Sequence, residues 1–240
     1  MFIDIHTHIL PGVDDGAETL EEALELLKQE KEQGVDAVIC TPHFYPEALS
    51  LEEHMDKTNV AFKQLQQALS GLDLPEVFLG YEVHCYPQIA RSSGLEVCTI
   101  NGTYYLLLEL PFLSSIPAET IGEIIRLSED LGFRVIIAHI ERYATDRQYQ
   151  KLISLVKKGV VLAQINADSF FIPQFKKAVD KLLKHNLVSF VASDAHSKED
   201  RPVRIRRFLD YIKFAYPIAY RKILNETDLF LKEIKGDKYA

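Results

Sequence analysis

Apolar and polar residues alternate through Ile3-Asp4-Ile5-His6-Thr7-His8, the pattern of a strand, and the run ends in two histidines one residue apart. Residues two apart on a strand project from the same face, so His6 and His8 can reach one ion. The stretch Pro11-Gly12-Val13-Asp14-Asp15-Gly16 is turn chemistry. Thr19 with Glu22 makes a capping box, and Leu20, Ala23, Leu24 and Leu27 form a helical stripe stopped by Gly34. A second capping box, Ser50 with Glu53, opens a helix whose expected buried face is Leu51, Met55, Phe62, Leu65 and Leu69. His54 and His185, both in predicted helices, are expected to face solvent.

Further strands are predicted at Val35 to Cys40, Val77 to Glu82, Tyr104 to Leu108, Val135 to Ala138, Val160 to Ile165 and Val188 to Ala192. Helices are predicted from about Ala118 to Leu131, from Tyr149 to Lys158 and from Pro173 to His185, and the remainder is largely helical, punctuated by Pro202 and Pro217. Near-continuous apolar strands alternating with helices indicate a parallel sheet covered by helices. Seven strands in 240 residues fit a closed or nearly closed α/β barrel better than an open sheet. No linker, repeat or low-complexity tract interrupts the chain, so one domain is expected over residues 1–240, with a helical tail from about 217.

Six of the seven predicted strands end in groups that ligate metals: His6 and His8, His43, Glu82, Glu109, His139, and Asp194 with His196. Asp14 lies in the loop beyond the first. Barrels of this class assemble their active sites at that end of the sheet. The donors are all nitrogen and oxygen, which suits Mn, Fe or Zn, with Mg less favoured where histidines are many. Nine ligands exceed the needs of one or two ions and match three sharing a bridging carboxylate.

Composition narrows the reading further. Hydrophobic content of 47% and charged content of 26% are those of a globular protein. A net charge of −8 argues against a nucleic-acid or membrane-surface binder. No apolar run approaches the roughly 18 residues that span a bilayer, and the amino terminus lacks a signal-peptide pattern, so the cytoplasm is the expected location. At the site itself the balance reverses. Asp14, Glu82, Glu109 and Asp194 bring four negative charges against six positive from three divalent ions. Arg142 and Arg201 can add two guanidinium forks suited to phosphate oxygens. Such a pocket favours a phosphate ester.

His6-x-His8, Thr41-Pro42-His43, Gly80-x-Glu82, Glu109, His139-x-x-Arg142 and Ser193-Asp194-Ala195-His196 resemble the polymerase-and-histidinol-phosphatase (PHP) superfamily. The opening Asp4 to Gly16, with Leu108-Glu109-Leu110-Pro111 and Ala138 to Tyr143, is similar to the bacterial manganese-dependent tyrosine phosphatases of the CpsB/YwqE type. The resemblance spans residues 2 to about 201. It implies a distorted seven-stranded (β/α) TIM-like barrel and up to three Mn2+ ions. His6, His8, Glu82 and Asp194 would hold the first ion. Bridging Glu82 with Glu109 and His139 would hold the second, and Asp14, His43 and His196 the third. It places Arg142 and Arg201 on the phosphoryl group, with a metal-activated water as nucleophile. The substrate it implies is a phosphotyrosine protein, namely a bacterial tyrosine kinase governing capsule or exopolysaccharide synthesis. Phe44 and Tyr45 are candidates to flank the phenol ring, or to cap the barrel.

Three rivals remain at this point. One is a PHP phosphoesterase acting on a small molecule such as histidinol phosphate, or on nucleic-acid ends. Another is a metal-stabilised module that docks on a kinase without catalysis. The third is a cysteine phosphatase, because His84-Cys85 followed by Arg91-Ser92 fits the His-Cys-x5-Arg-Ser/Thr pattern. Against that third route, Pro87 removes a backbone donor and no glycine lies between Cys85 and Arg91 to allow a tight phosphate cradle. Cys40 and Cys98 read as small buried apolar residues.

Overall fold

In a computed structural model of the protein, residues 1–46, 48, 50–111 and 115–236 are described. The fold is mixed α/β, with every strand pairing parallel. Strands β1 (Ile3–Thr7), β2 (Ala37–Cys40) and β4 (Glu76–Leu79) form one sheet. A second runs in the order β3 (His43–Phe44), β5 (Glu82–His84), β6 (Tyr105–Glu109), β7 (Arg134–Ile137), β8 (Leu162–Asn166) and β9 (Phe190–Ala192).

The second predicted strand ends at Cys40 as expected and is followed, after a gap, by the short unpredicted β3, whereas the third is broken in two between Leu79 and Glu82. Pro42 lies in the first gap and has no N–H for the ladder. In the second, Gly80 packs so tightly that a Cβ there would lie 2.9 Å from Ile100 Cγ1. Hydrogen bonds nevertheless cross both gaps, from Gly80 N to Cys40 O (2.9 Å) and from Glu82 N to Pro42 O (3.1 Å). The sheet also curls back on itself. Asp194 N donates to His6 O (2.9 Å), His8 N donates to Ala195 O (2.8 Å), and Thr7 bridges Ala195 in parallel.

Helices α1 (Leu20–Glu32), α2 (Leu51–Ala68), α3 (Ala118–Ile125, extended by a π turn over Arg126–Asp130), α4 (Tyr149–Lys157), α5 (Pro173–Lys184), α6 (Arg206–Ala215) and α7 (Pro217–Ile234) accompany the strands. Thr19 caps α1 through Glu22 N, although Glu22 returns its carboxylate to Glu18 N rather than to the cap. Ser50 and Glu53 form the complete reciprocal box on α2. The buried stripe of α2 is His54, Thr58, Ala61 and Leu65; of the apolar set expected only Leu65 is fully buried, with Leu51, Phe62 and Leu69 half-buried against the core, and His54 is a core residue packed between Phe44 and Tyr81. His185 is exposed, as expected.

Two apolar clusters result. The larger lies between strands and helices. The smaller gathers Ile3, Ile5, Ile39, Leu107, Ile136 and Phe190 from five strands and is closed by Phe230, Leu231 and Ile234 of α7. Burial of a phenylalanine such as Phe230 contributes about 1.5–3 kcal/mol, so α7 is part of the core and not a loose tail. Among the described residues no helix is long and apolar enough to cross a membrane.

Candidate metal centre

The carboxyl ends of the strands converge. His6, His8 and Glu82 are fully buried, His139, Asp194, His196 and Glu109 nearly so, and His43 is half-buried at the rim. Parallel register sets His43 directly beside Glu82. On β1 the register against β2 shifts between Asp4 and Thr7. In a regular strand Asp4 and His6 would share a face. Here Asp4 meets Glu30 of α1, whereas His6 turns to Glu82.

Glu82 is the hub. Its Oε2 lies 3.1 Å from His6 Nε2, 3.3 Å from His8 Nε2 and 2.9 Å from His43 Nδ1, while Oε1 lies 3.0 Å from His139 Nε2. Asp194 Oδ1 stands 3.6 Å from His6 Nε2 and 3.5 Å from His8 Nε2. Despite this crowding, Glu82 Oε2 and His196 Nε2 make no hydrogen bond, and His6 Nε2 confronts His8 Nε2 at 3.1 Å. Donor atoms aimed at shared space rather than at one another fit cation ligation. The possible ligand atoms fall into three groups, His6/His8/Asp194, His43/Glu82/Glu109 and His8/Asp15/His43/His196.

The third group holds Asp15 where the sequence pointed to Asp14. Asp14 is already engaged, with Oδ2 accepting from His8 Nδ1 (2.7 Å) and His43 N (2.9 Å), and Oδ1 from Gly16 N (3.0 Å). Asp15 Oδ1 instead lies 3.5 Å from His43 Nε2 and 3.4 Å from His196 Nε2. Gly16 makes this turn feasible, since a side chain there would collide with the His8 main chain.

Electrostatics follow from the crowding. Burial works to raise Glu82, but the imidazoles of His6, His139 and His43 overrule it and hold the carboxyl well below its ordinary range. Burial likewise opposes charge on His8, yet Asp14 and Glu82 push the imidazole up to about 10. Asp194 is lowered against its burial by His6, Arg142 and Arg201. Arg142 Nη2 donates to Asp194 Oδ2 at 2.7 Å, and Arg201 Nη2 approaches Oδ1 at 2.8 Å. Both arginines line a groove of about 950 Å3 together with Asn166, Phe171, Ser193 and Asp194. His139 and Asp194 have φ of +31° and +55°, left-handed backbone that is uncommon for non-glycine residues.

At the rim, Tyr45 Oη lies 3.3 Å from both His43 Nδ1 and Glu109 Oε2, and His84 Nδ1 is 3.4 Å from Glu109 Oε2. Phe44 points away into the core. The cysteine motif has no cradle. Cys85 N donates to Glu109 O, Ile89 N to Tyr86 O, Ala90 N to Glu123 Oε2 and Arg91 N to Gln88 O. Burial pushes the Cys85 thiol up to about 12, away from a thiolate nucleophile.

Comparison with known proteins agrees with this arrangement. The family model for capsular polysaccharide synthesis proteins CpsB/CapC matches residues 2–228. The tyrosine-protein phosphatase YwqE of Bacillus subtilis is 34% identical over 212 residues, covering 83% of this chain and 79% of YwqE. The tyrosine-protein phosphatase CpsB of Streptococcus agalactiae serotype V is 30% identical over 246 residues, covering 98% and 97%. A solved chain from work on YwqE of Bacillus subtilis and CpsB of Streptococcus pneumoniae, described there as metal-dependent tyrosine phosphatases, superposes with a TM-score of 0.78. It is 29% identical and covers 96% of this chain and 94% of its own. The chain belongs to the CpsB/CapC family.

Proposed function

We propose that this protein is a metal-dependent tyrosine phosphatase using manganese. Its substrate is phosphotyrosine on a bacterial tyrosine kinase that governs capsule or exopolysaccharide synthesis, and it acts in the cytoplasm. The observation that carries the proposal is the Glu82 carboxylate, ringed by four imidazoles and flanked by an aspartate that two arginines grip. His6, His8, Glu82 and Asp194 would hold one ion, Glu82, Glu109 and His139 a second, and His43, His196 and Asp15 a third. On this proposal Asp14 orients His8. The chain is one domain, and its interrupted strands make up a single distorted seven-stranded barrel.

Bound divalent ions supply Lewis acidity, which lowers the pKa of water and offsets phosphoryl charge. The protein's own contribution is placement. Arg142 and Arg201 meet the phosphoryl oxygens with planar donor forks as the group enters beside Asp194. Tyr45 and His84, their rings 5.2 Å apart at the rim, are placed to flank the leaving phenol. A phenol of pKa about 10 leaves without much help from a general acid. The groove beyond Arg201 gives room for residues next to the phosphotyrosine.

Rates on a phosphotyrosyl peptide, histidinol phosphate and single-stranded DNA, each with and without a strong chelator, test the proposal. Peptide turnover that disappears on chelation and returns with Mn2+ is expected. Preference for histidinol phosphate, or turnover indifferent to the chelator, would overturn it.

A further inference from the structure

β8 is the strand to which the sequence assigned no ligand, yet two of its side chains touch the centre. Alternation along it puts Ala163 and Ile165 in the outer core and Gln164 and Asn166 on the opposite face. Gln164 is fully buried and Asn166 nearly so. The main-chain N–H of His139 donates to Gln164 Oε1 at 2.7 Å. A backbone N–H can only donate, so this bond decides which end of the Gln164 amide is oxygen.

Consequences run in both directions from that bond. His6 Nδ1 lies 3.2 Å from the same oxygen and must carry the proton there, leaving its Nε2 lone pair free toward Glu82 and His8. On the other side, Gln164 Nε2 donates to Asn166 Oδ1 at 2.8 Å. Asn166 Nδ2 therefore faces Asp194 Oδ2 as a donor, at 2.7 Å. Glu141 Oε1 accepts the Asn166 N–H at 3.0 Å and anchors that end of the strand.

We infer that Gln164 and Asn166 are positioning residues that set the polarity of the ion site. One amide fixes the His6 tautomer, and the other shares Asp194 Oδ2 with Arg142, so that Oδ1, 3.6 Å from His6 Nε2 and 3.5 Å from His8 Nε2, is the oxygen turned to the cation. Both act in a single relay that starts at the His139 backbone. The role rests on the metal-dependent function proposed above and is exerted through His6 and Asp194, not on substrate. Amides are required because each member must donate at one end and accept at the other. A carboxylate at 164 has no donor for Asn166, and one at 166 faces Asp194 with like charge.

Zinc, a diamagnetic probe, allows nitrogen NMR of labelled histidines in the loaded full-length protein. Expected is a His6 that is protonated and exchange-protected at Nδ1 and ligating through Nε2. Gln164→Met should weaken zinc affinity about 10- to 100-fold and expose the Nδ1 proton to exchange, while circular dichroism reports a folded protein. Gln164→Glu and Asn166→Ala should weaken zinc comparably but leave the His6 signature in place, because they cut only the Asp194 arm. A wild-type His6 that ligates through Nδ1, or variants that all bind zinc within about twofold of wild type, would overturn the relay. A wild-type protein that binds no divalent ion would instead remove the metal-dependent function, and the relay with it.

Discussion

His8 Nδ1 and Asp14 Oδ2 lie 2.7 Å apart, and this bond gives two neighbouring acids different tasks. Asp14 spends its oxygens on His8, the His43 backbone and Gly16, which leaves Asp15 to face His43 and His196. Asp15→Ala is expected to lose one ion per chain and to lower kcat/KM on a phosphotyrosyl peptide by at least about 100-fold. Asp14→Asn keeps an acceptor for His8 and is expected to cost about 10-fold. Elemental analysis alongside kinetics checks both, and the reverse order would return the ligand role to Asp14.

Arg142 and Arg201 each hold one oxygen of Asp194. A lysine preserves charge but not the planar fork, so Arg142→Lys should lower kcat/KM on phosphotyrosyl peptide by about 100-fold. Ion content should stay near that of the unsubstituted protein. Loss of the ions in step with activity would mean that Arg142 serves the metal centre and not the phosphoryl group.

Behind the centre, Asp4 and Glu30 are both fully buried and adjacent. Burial pushes Asp4 up to about 6, and burial with the Asp4 charge pushes Glu30 well above its ordinary range. A carboxyl raised in this way contributes stability that is fully present below its unfolded pKa near 4 and is lost as pH climbs through the folded value. Glu30→Gln removes one member of the pair. Its melting temperature relative to wild type should therefore be higher at about pH 7.5 than at about pH 5, by roughly 5 °C. A difference that does not change with pH would contradict the shared burial of the two acids.

Cys85→Ser should retain most activity, since the thiol is buried and the N–H groups of Cys85, Ile89, Ala90 and Arg91 are bonded elsewhere. Complete loss of turnover in a variant with unchanged circular dichroism would revive the cysteine route.

Much of the site was readable because strand periodicity and the barrel rule act together. An apolar run ending in His or Glu announces where the side chain emerges, and His6, His8, Glu109 and His139 do lie at or just past the ends of their strands, whereas Glu82 opens the second half of an interrupted one. Turns obey no such period. Asp14 and Asp15 are chemically alike, and the fold of the turn decides that Asp15 faces the His43 imidazole while Asp14 takes its main-chain N–H. His54 was misplaced because the face of α2 was chosen by hydrophobicity, whereas packing buried the neighbouring stripe that carries His54 and Thr58. The strand interruption at Gly80 and the Gln164–Asn166 pair were hidden for a related reason. They depend on contacts between residues far apart in the chain, such as Gly80 with Ile100 and Gln164 with His139.

Anomalous diffraction from crystals of the protein grown with manganese locates the ions directly. The account predicts up to three peaks clustered around Glu82, one of them between His6, His8 and Asp194 and another beside His43, His196 and Asp15. No anomalous peak within ligand distance of Glu82 would contradict it.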